Sequence, residues 1–293
     1  MTRWYEFIDA QKAFYPVVKM CEWSNVYRSG YYEWCDRTPS HSRRRRESLS
    51  HLIEKIFDDS DGTYGYRRVH AELARRAVAA GPELVRDLMR ALDLVPCQPR
   101  PYRPTTTRQG QAAPAPDLVN RDFTADAPGD KLVGDITYIP TAEGFLYLAT
   151  AIDCYTKECA GYAMADHMRA SLVIDALSMA DRNARLNDGA IFHTDRGSQY
   201  TSEAFAVHTE SLGVRRSMGR TGVCFDNAAA ESFNAAVKVE RVHRVTYLTR
   251  EQAKTDVARY IELRYNTRRL HSSIGYRTPR EARIDYINTH AAA

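Results

Sequence analysis

The 293-residue sequence predicts an α/β protein: a mixed five-stranded sheet with flanking helices, preceded by a small all-helical domain. Three observations lead there. Residues 96–128 hold seven of the twelve prolines, which favours extended chain and stops a helix, so a boundary falls there. Before it, apolar residues recur at helical spacing. After it, strand-like runs come first, and helical runs then alternate with further strands.

Residues 1–40 carry ten aromatic side chains, from Trp4 to Trp34, and read as short helices. Arg43, Arg44, Arg45 and Arg46 follow as four consecutive charges, suited either to DNA phosphate or to the solvated start of a helix. Leu49, Leu52, Ile53 and Ile56 mark one face of a helix over 47–58, and Val69 and Leu73 mark the next over 66–77, with a turn at 61–65 between them. Pro82 opens a third helix running to Leu92. Three short helices so connected make a helix-turn-helix-like module, or a plain structural bundle. Beyond the boundary, strands are expected over 132–139, 145–153, 158–164, 190–194 and 214–218, and helices over 171–185, 202–212 and 227–241. The division is therefore an N-terminal helical segment (1–40), the helix-turn-helix-like domain (41–95), the Pro-rich linker (96–128), the α/β core (129–247) and a C-terminal helical extension (248–293).

Composition removes several classes. Hydrophobic content of 44% and charged content of 27% are ordinary for a soluble globular chain. No apolar run approaches the length of a membrane span, and the N-terminus lacks the apolar stretch of a signal peptide. The six cysteines form no C-x-x-C pair and no zinc spacing with histidine, which fits reduced cytosolic thiols. Net charge is only +4, but residues 238–283 hold 12 Lys or Arg against 5 Asp or Glu, while 131–231 carry no such excess. A basic flank beside an acidic centre suits a phosphate-bearing partner.

Asp135 lies inside the first strand, Asp195 ends a short apolar run before a turn, and Glu231 falls early in a helix, with 35 residues between it and Asp195. With 37 acidic residues present, spacing alone decides nothing. Context does more: two strand ends and a helix can bring three carboxylates to one point, and carboxylate oxygens suit a hard cation. Two such ions about 3.5–4 Å apart can clamp a phosphodiester displacement, which is chemistry on DNA or RNA.

The flanks narrow this further: GDITYIPT around Asp135, FHTDRGSQYTS around Asp195 and SMGRTGVCFDNAAAESFNAAVK around Glu231. They resemble the three catalytic motifs of the retroviral-integrase-type transposases of bacterial insertion sequences, above all the second-frame product (OrfB) of the insertion-sequence-3 family. SGYYEW (29–34), GTYGYRRVHAEL (62–73) and the tail YNTRRLHSSIGYRTP (265–279) resemble that family too, so the likeness covers most of the chain. It implies a ribonuclease-H-like integrase catalytic core in which Asp135, Asp195 and Glu231 are catalytic and hold Mg²⁺, with two ions and Mn²⁺ able to substitute. It also implies DNA end cleavage and 3′-hydroxyl strand transfer, with no covalent protein–DNA intermediate.

The partners so implied are the element's terminal inverted repeats and target DNA, the upstream OrfA product as frameshift fusion or partner, and further copies of the chain on DNA. The setting would be the bacterial cytoplasm at the nucleoid. Lys238, two helical turns after Glu231, is expected at phosphate, as are Arg43, Arg44, Arg45, Arg46, Arg67, Arg68, Arg268 and Arg269. Asn266 and His271 join the last two as DNA or subunit contacts. Asn227 is expected to cap the Glu231 helix through its amide oxygen, His193 either to border the metal site or to pack in the strand, and Asp153 to be structural. Arg196, Gln199 and Tyr200 would shape the loop after Asp195. Leu132 departs from the family, which usually has Trp there, and should affect packing only. Two rival readings stand: a DNA-binding regulator without catalysis, and a related nuclease such as a junction resolvase or ribonuclease H.

Overall fold

The computed structural model describes residues 2–38, 40–98, 115–219 and 227–290. The middle of the Pro-rich linker (99–114) and the glycine-containing approach to Glu231 (220–226) lie outside the described residues. Three helices, α1 (Thr2–Gln11), α2 (Val17–Trp23) and α3 (Arg28–Cys35), come first, around a small core of Ile8, Met20, Cys21 and Tyr31. Then α4 (His41–Asp59), α5 (Tyr66–Arg75) and α6 (Pro82–Ala91) enclose Ile53, Ile56, Val69, Leu73 and Val85. The Ser40 hydroxyl accepts from the Arg43 amide and starts α4, so the four arginines belong to its first turns.

The α/β part is as expected: a five-stranded sheet in the order β3-β2-β1-β4-β5. Its strands are β1 (Lys131–Thr141), β2 (Gly144–Asp153), β3 (Cys159–Ala165), β4 (Ile191–Thr194) and β5 (Arg215–Met218). The first three are antiparallel, β1 and β2 closing as a hairpin from Leu132↔Asp153 to Thr141↔Gly144. The last two run parallel to β1, which requires crossovers; α7 (Ala170–Ala184) and α8 (Glu203–Ser211) provide them. Alternation along β1 separates two cores. Val133 and Ile139 face the layer of α9 (Ala228–Glu240) and α10 (Arg250–Tyr260), whereas Leu132 joins Phe192, Leu177 and Phe205 under α7 and α8. Leu132 is fully buried there, a packing role as expected.

Gly161 sets the approach of α7 to β3, because a Cβ there would fall on the Ala176 carbonyl oxygen and the Ala180 amide. Gly161→Ala should therefore cost about 1–3 kcal/mol, read as a lower urea midpoint with unchanged slope. A wild-type midpoint would show that α7 can retreat freely.

After α10 the helix continues through a single π turn, Ile261–Tyr265. Asn266 follows it and bonds the start of the edge strand twice, accepting from the Cys159 amide at 3.0 Å and donating to the Cys159 carbonyl at 3.1 Å. The chain ends in α11 (Pro279–His290). This C-terminal segment fastens the helical module to the core. Leu270 is buried among the α4–α6 side chains, and the Tyr64 hydroxyl donates to the Arg268 carbonyl and accepts from the Leu270 amide, each at 2.9 Å. Arg75 makes two bonds to Glu281, Arg244 pairs with Asp61, and Arg264 donates to the Ser60 carbonyl. Among the described residues no helix is long and apolar enough to cross a membrane.

Candidate active site

β4 pairs with β1 only as far as Val133↔His193. Past that point Asn227, which leads into α9, reaches β1. The Gly134 carbonyl there accepts from the Asn227 amide nitrogen at 3.0 Å. One residue on, Asp135 turns its carboxylate toward α9, where Oδ2 accepts from Asn234 at 2.8 Å and Oδ1 from the Ile136 amide at 2.9 Å. Asp195 follows the end of β4, its Oδ1 held at 3.0 Å by the Gly197 amide. Glu231 lies in the first turn of α9 and faces solvent.

The electrostatics are those of a site short of positive charge. Burial, with the charges of Asp195 and, less strongly, Glu231, pushes Asp135 up to about 7 against the two hydrogen bonds that stabilise its anion. Burial raises Asp195 as well, opposed by the Gly197 amide, and partial desolvation raises Glu231. Among the described residues no salt bridge reaches any of the three. Lys238 lies on the same helix, with Nζ 4.7 Å from the centre of the Tyr138 ring; burial lowers its pKa and Asp135 opposes that. Among the described residues, the Tyr200 hydroxyl, Asn227 Oδ1 and Asn234 Oδ1 are buried near the site without a hydrogen-bond partner. In chemical type the hard oxygen donors of the three carboxylates suit a divalent cation, though among the described residues they are not gathered into a closed set of ligands.

Several expectations need correction. Asn227 precedes α9 but does not cap it; its amide nitrogen is spent on Gly134, so it ties the helix to β1 instead. For His193 the packed one of the two alternatives holds, with Nδ1 2.8 Å from Ser217 Oγ and the ring edge-on to Phe123. Arg269 is no surface cation, since its guanidinium is 11% exposed and makes three bonds of 2.7–3.0 Å to buried Glu240. Arg68 donates to the Leu270 carbonyl and stands 3.9 Å from the same Glu240, so it belongs to the joint between module and core. Arg45 is exposed but reaches back to the Ala79 carbonyl. Asn266 is buried at Cys159, and His271 packs edge-on against Tyr265 beside Arg269. Arg43, Arg44, Arg46, Arg67 and Arg268 remain exposed, on the helical module and the segment fastened to it.

Asp153 is structural, as expected: fully buried, it accepts from the amides of Tyr155, Thr156 and Gly129 and from the Thr156 hydroxyl. In the loop after Asp195, Arg196 donates to the Gly219 carbonyl and Gln199 to the Met168 carbonyl. Sequence reasoning missed Asn234. Its only signal was helical spacing, three residues after Glu231, which puts both on one side of α9.

Two family models described as integrase core domain match residues 125–224 and 212–279, and one described as HTH-like domain matches residues 44–102. The chain is 39% identical over 267 residues to the insertion element IS600 uncharacterized 31 kDa protein of Shigella sonnei, covering 91% of this chain and 98% of that one. It is 35% identical over 279 residues to the transposase InsF for insertion sequence IS3A of Escherichia coli strain K12, covering 94% and 97%. Among solved structures it is similar to the HTLV-2 integrase catalytic core domain in complex with magnesium, with TM-score 0.42 and 15% identity over 54% of this chain and 98% of that one. Fold and matches together define an integrase-core protein with an HTH-like domain ahead of the core. The chain belongs to the insertion-sequence-3 family of transposases.

Proposed function

We propose that this protein is the catalytic subunit of a bacterial insertion sequence, cutting the element's DNA ends and joining the freed 3′-hydroxyls to target DNA with Mg²⁺ or Mn²⁺. The observation that carries the reading is the pair Asp135, half-buried within β1, and Asp195, just past the end of the neighbouring β4, which concentrate negative charge with no cationic side chain among the described residues paired to them. Asp135, Asp195 and Glu231 are the residues that would hold the metal. When bound, it supplies a nucleophilic oxygen at neutral pH and stabilises the oxygen that leaves.

The chain's own residues do the rest. Asn234 and the Ile136 amide fix both oxygens of Asp135, and the Gly197 amide aims Asp195. Glu231, on α9, is open to solvent, as is Asp195. Lys238 on the same helix, held by the Tyr138 ring, would take a phosphate beside the scissile bond. In the first step water displaces a 3′-oxygen from phosphorus; in the second that 3′-hydroxyl displaces another. One P–O bond forms for each that breaks, so no energy-rich cofactor is required. Exposed Arg43, Arg44, Arg46, Arg67 and Arg268 would hold DNA backbone away from the reacting bond. The inverted repeats, the target, the upstream OrfA product and further copies of the chain are the proposed partners.

The test is strand nicking and joining on labelled element-end DNA with Mg²⁺ or Mn²⁺. It compares this chain, its fusion to the upstream frame, and the fusion carrying Glu231→Gln. Metal-dependent products that the variant loses are expected. A folded fusion without products would leave the DNA-binding regulator as the better account, and efficient hydrolysis of an RNA–DNA hybrid would favour a ribonuclease.

A further inference from the structure

Tyr200 presents a problem that packing does not solve. Its ring is wedged between Phe192 and Phe205, with centroids 6.3 and 5.6 Å away, and the residue is only 2% exposed. Phe would fill that space equally well. The hydroxyl finds no hydrogen-bond partner among the described residues, and a buried donor left unpaired is destabilising. The ring cannot swing out, because both neighbouring aromatics are themselves buried. What surrounds the hydroxyl electrostatically is the catalytic pair: burial, then Asp135, then Asp195 raise its pKa well above the ordinary value, so it stays protonated and a donor. The loop brings ring and carboxylate to the same glycine: a Cβ on Gly197 would stand 3.0 Å from Asp195 Oδ1 and 3.6 Å from the Tyr200 ring. The Tyr200 amide closes a turn on the Gly197 carbonyl, the same residue whose amide holds Asp195.

We propose that the Tyr200 hydroxyl is a positioning group for the Asp135–Asp195 pair, donating a hydrogen bond to one of their oxygens as they close on a divalent cation. The inference rests on the reading of those carboxylates as metal-bearing. One donor fixed by a packed ring would orient an oxygen without adding positive charge that competes with the ion. Such outer hydrogen bonds typically carry a tenfold to hundredfold share of metal affinity.

The experiment is Mn²⁺ binding to the full chain, by calorimetry at fixed pH, beside thermal melting, for the wild type, Tyr200→Phe, Phe192→Leu and Asp135→Asn. Tyr200→Phe should keep or slightly raise the melting temperature while weakening Mn²⁺ about 10- to 100-fold. Phe192→Leu loosens the same aromatic cluster and keeps the hydroxyl, so it should melt earlier and bind Mn²⁺ as the wild type does. Equal Mn²⁺ affinity in Tyr200→Phe and wild type overturns the inference alone. So does equal weakening in both aromatic variants, or failure of Tyr200→Phe to fold, since packing would then be the whole role. Absence of any Mn²⁺ binding that Asp135→Asn removes overturns the metal-bearing reading, and the inference with it.

Discussion

Asp135→Asn is expected to lower strand transfer by on the order of 10³-fold and, in the same preparation, to make the metal-free protein more stable. Both effects come from one buried charge. Unfolded, Asp135 releases its proton near 3.8; folded, it holds it to about 7. Between those values the folded protein keeps a proton that the unfolded chain has lost, so stability falls as pH rises through this window. The contribution is fully present below the unfolded value and gone above the folded one. At about 1.4 kcal/mol per unit, it amounts to on the order of 4 kcal/mol. With a chelator present, the wild type should melt lower at pH 8 than at pH 5.5, and the variant should show a smaller gap. Added Mn²⁺ should recover the wild type at pH 8 and leave the variant nearly unmoved. An identical pH slope in the two proteins would place the titrating group elsewhere.

Glu240→Ala should be the most destabilising single change in the molecule, by about 3–5 kcal/mol. Glu240 is buried at the end of α9, where it accepts from Arg269 and, at 2.8 Å, from the Tyr260 hydroxyl, with Arg68 3.9 Å away. Its removal strands a guanidinium inside the protein and a second one at the joint with the helical module. Denaturant unfolding of the variant would measure the loss, and limited proteolysis between α6 and β1 would show whether the module loosens first. A change under about 1 kcal/mol would mean that water reaches both arginines and screens them, as at an exposed pair.

Much of this architecture was legible in the sequence because it follows local periods. Alternation in β1, the turn between β1 and β2 and the 3.6-residue spacing of α4 to α6 all report themselves within a few residues. The misreadings share a different cause. Arg68, Arg269, Asn266 and His271 look like surface residues of a basic tail, and nothing near them in sequence announces Glu240, Leu270 or the Cys159 backbone as partners. The carbonyl that Asn227 serves lies 93 residues upstream. Local pattern identifies which side chains are charged or apolar; only the closed fold decides which of the charged ones are consumed internally.

The fastening of α4–α6 to the C-terminal segment bears on how the protein is made. Tyr64 leaves the ribosome early, yet the backbone carbonyl it must meet, at Arg268, is 204 residues behind it. Leu270, which completes the same core, emerges later still. During synthesis the helical module therefore waits with a gap in its interior and with Tyr64 and Arg68 unmatched. A product that stops short of residue 270, through a nonsense codon or a lost reading frame, leaves that gap permanently open. Truncated copies would thus lack the side chain that completes the core of their helical module.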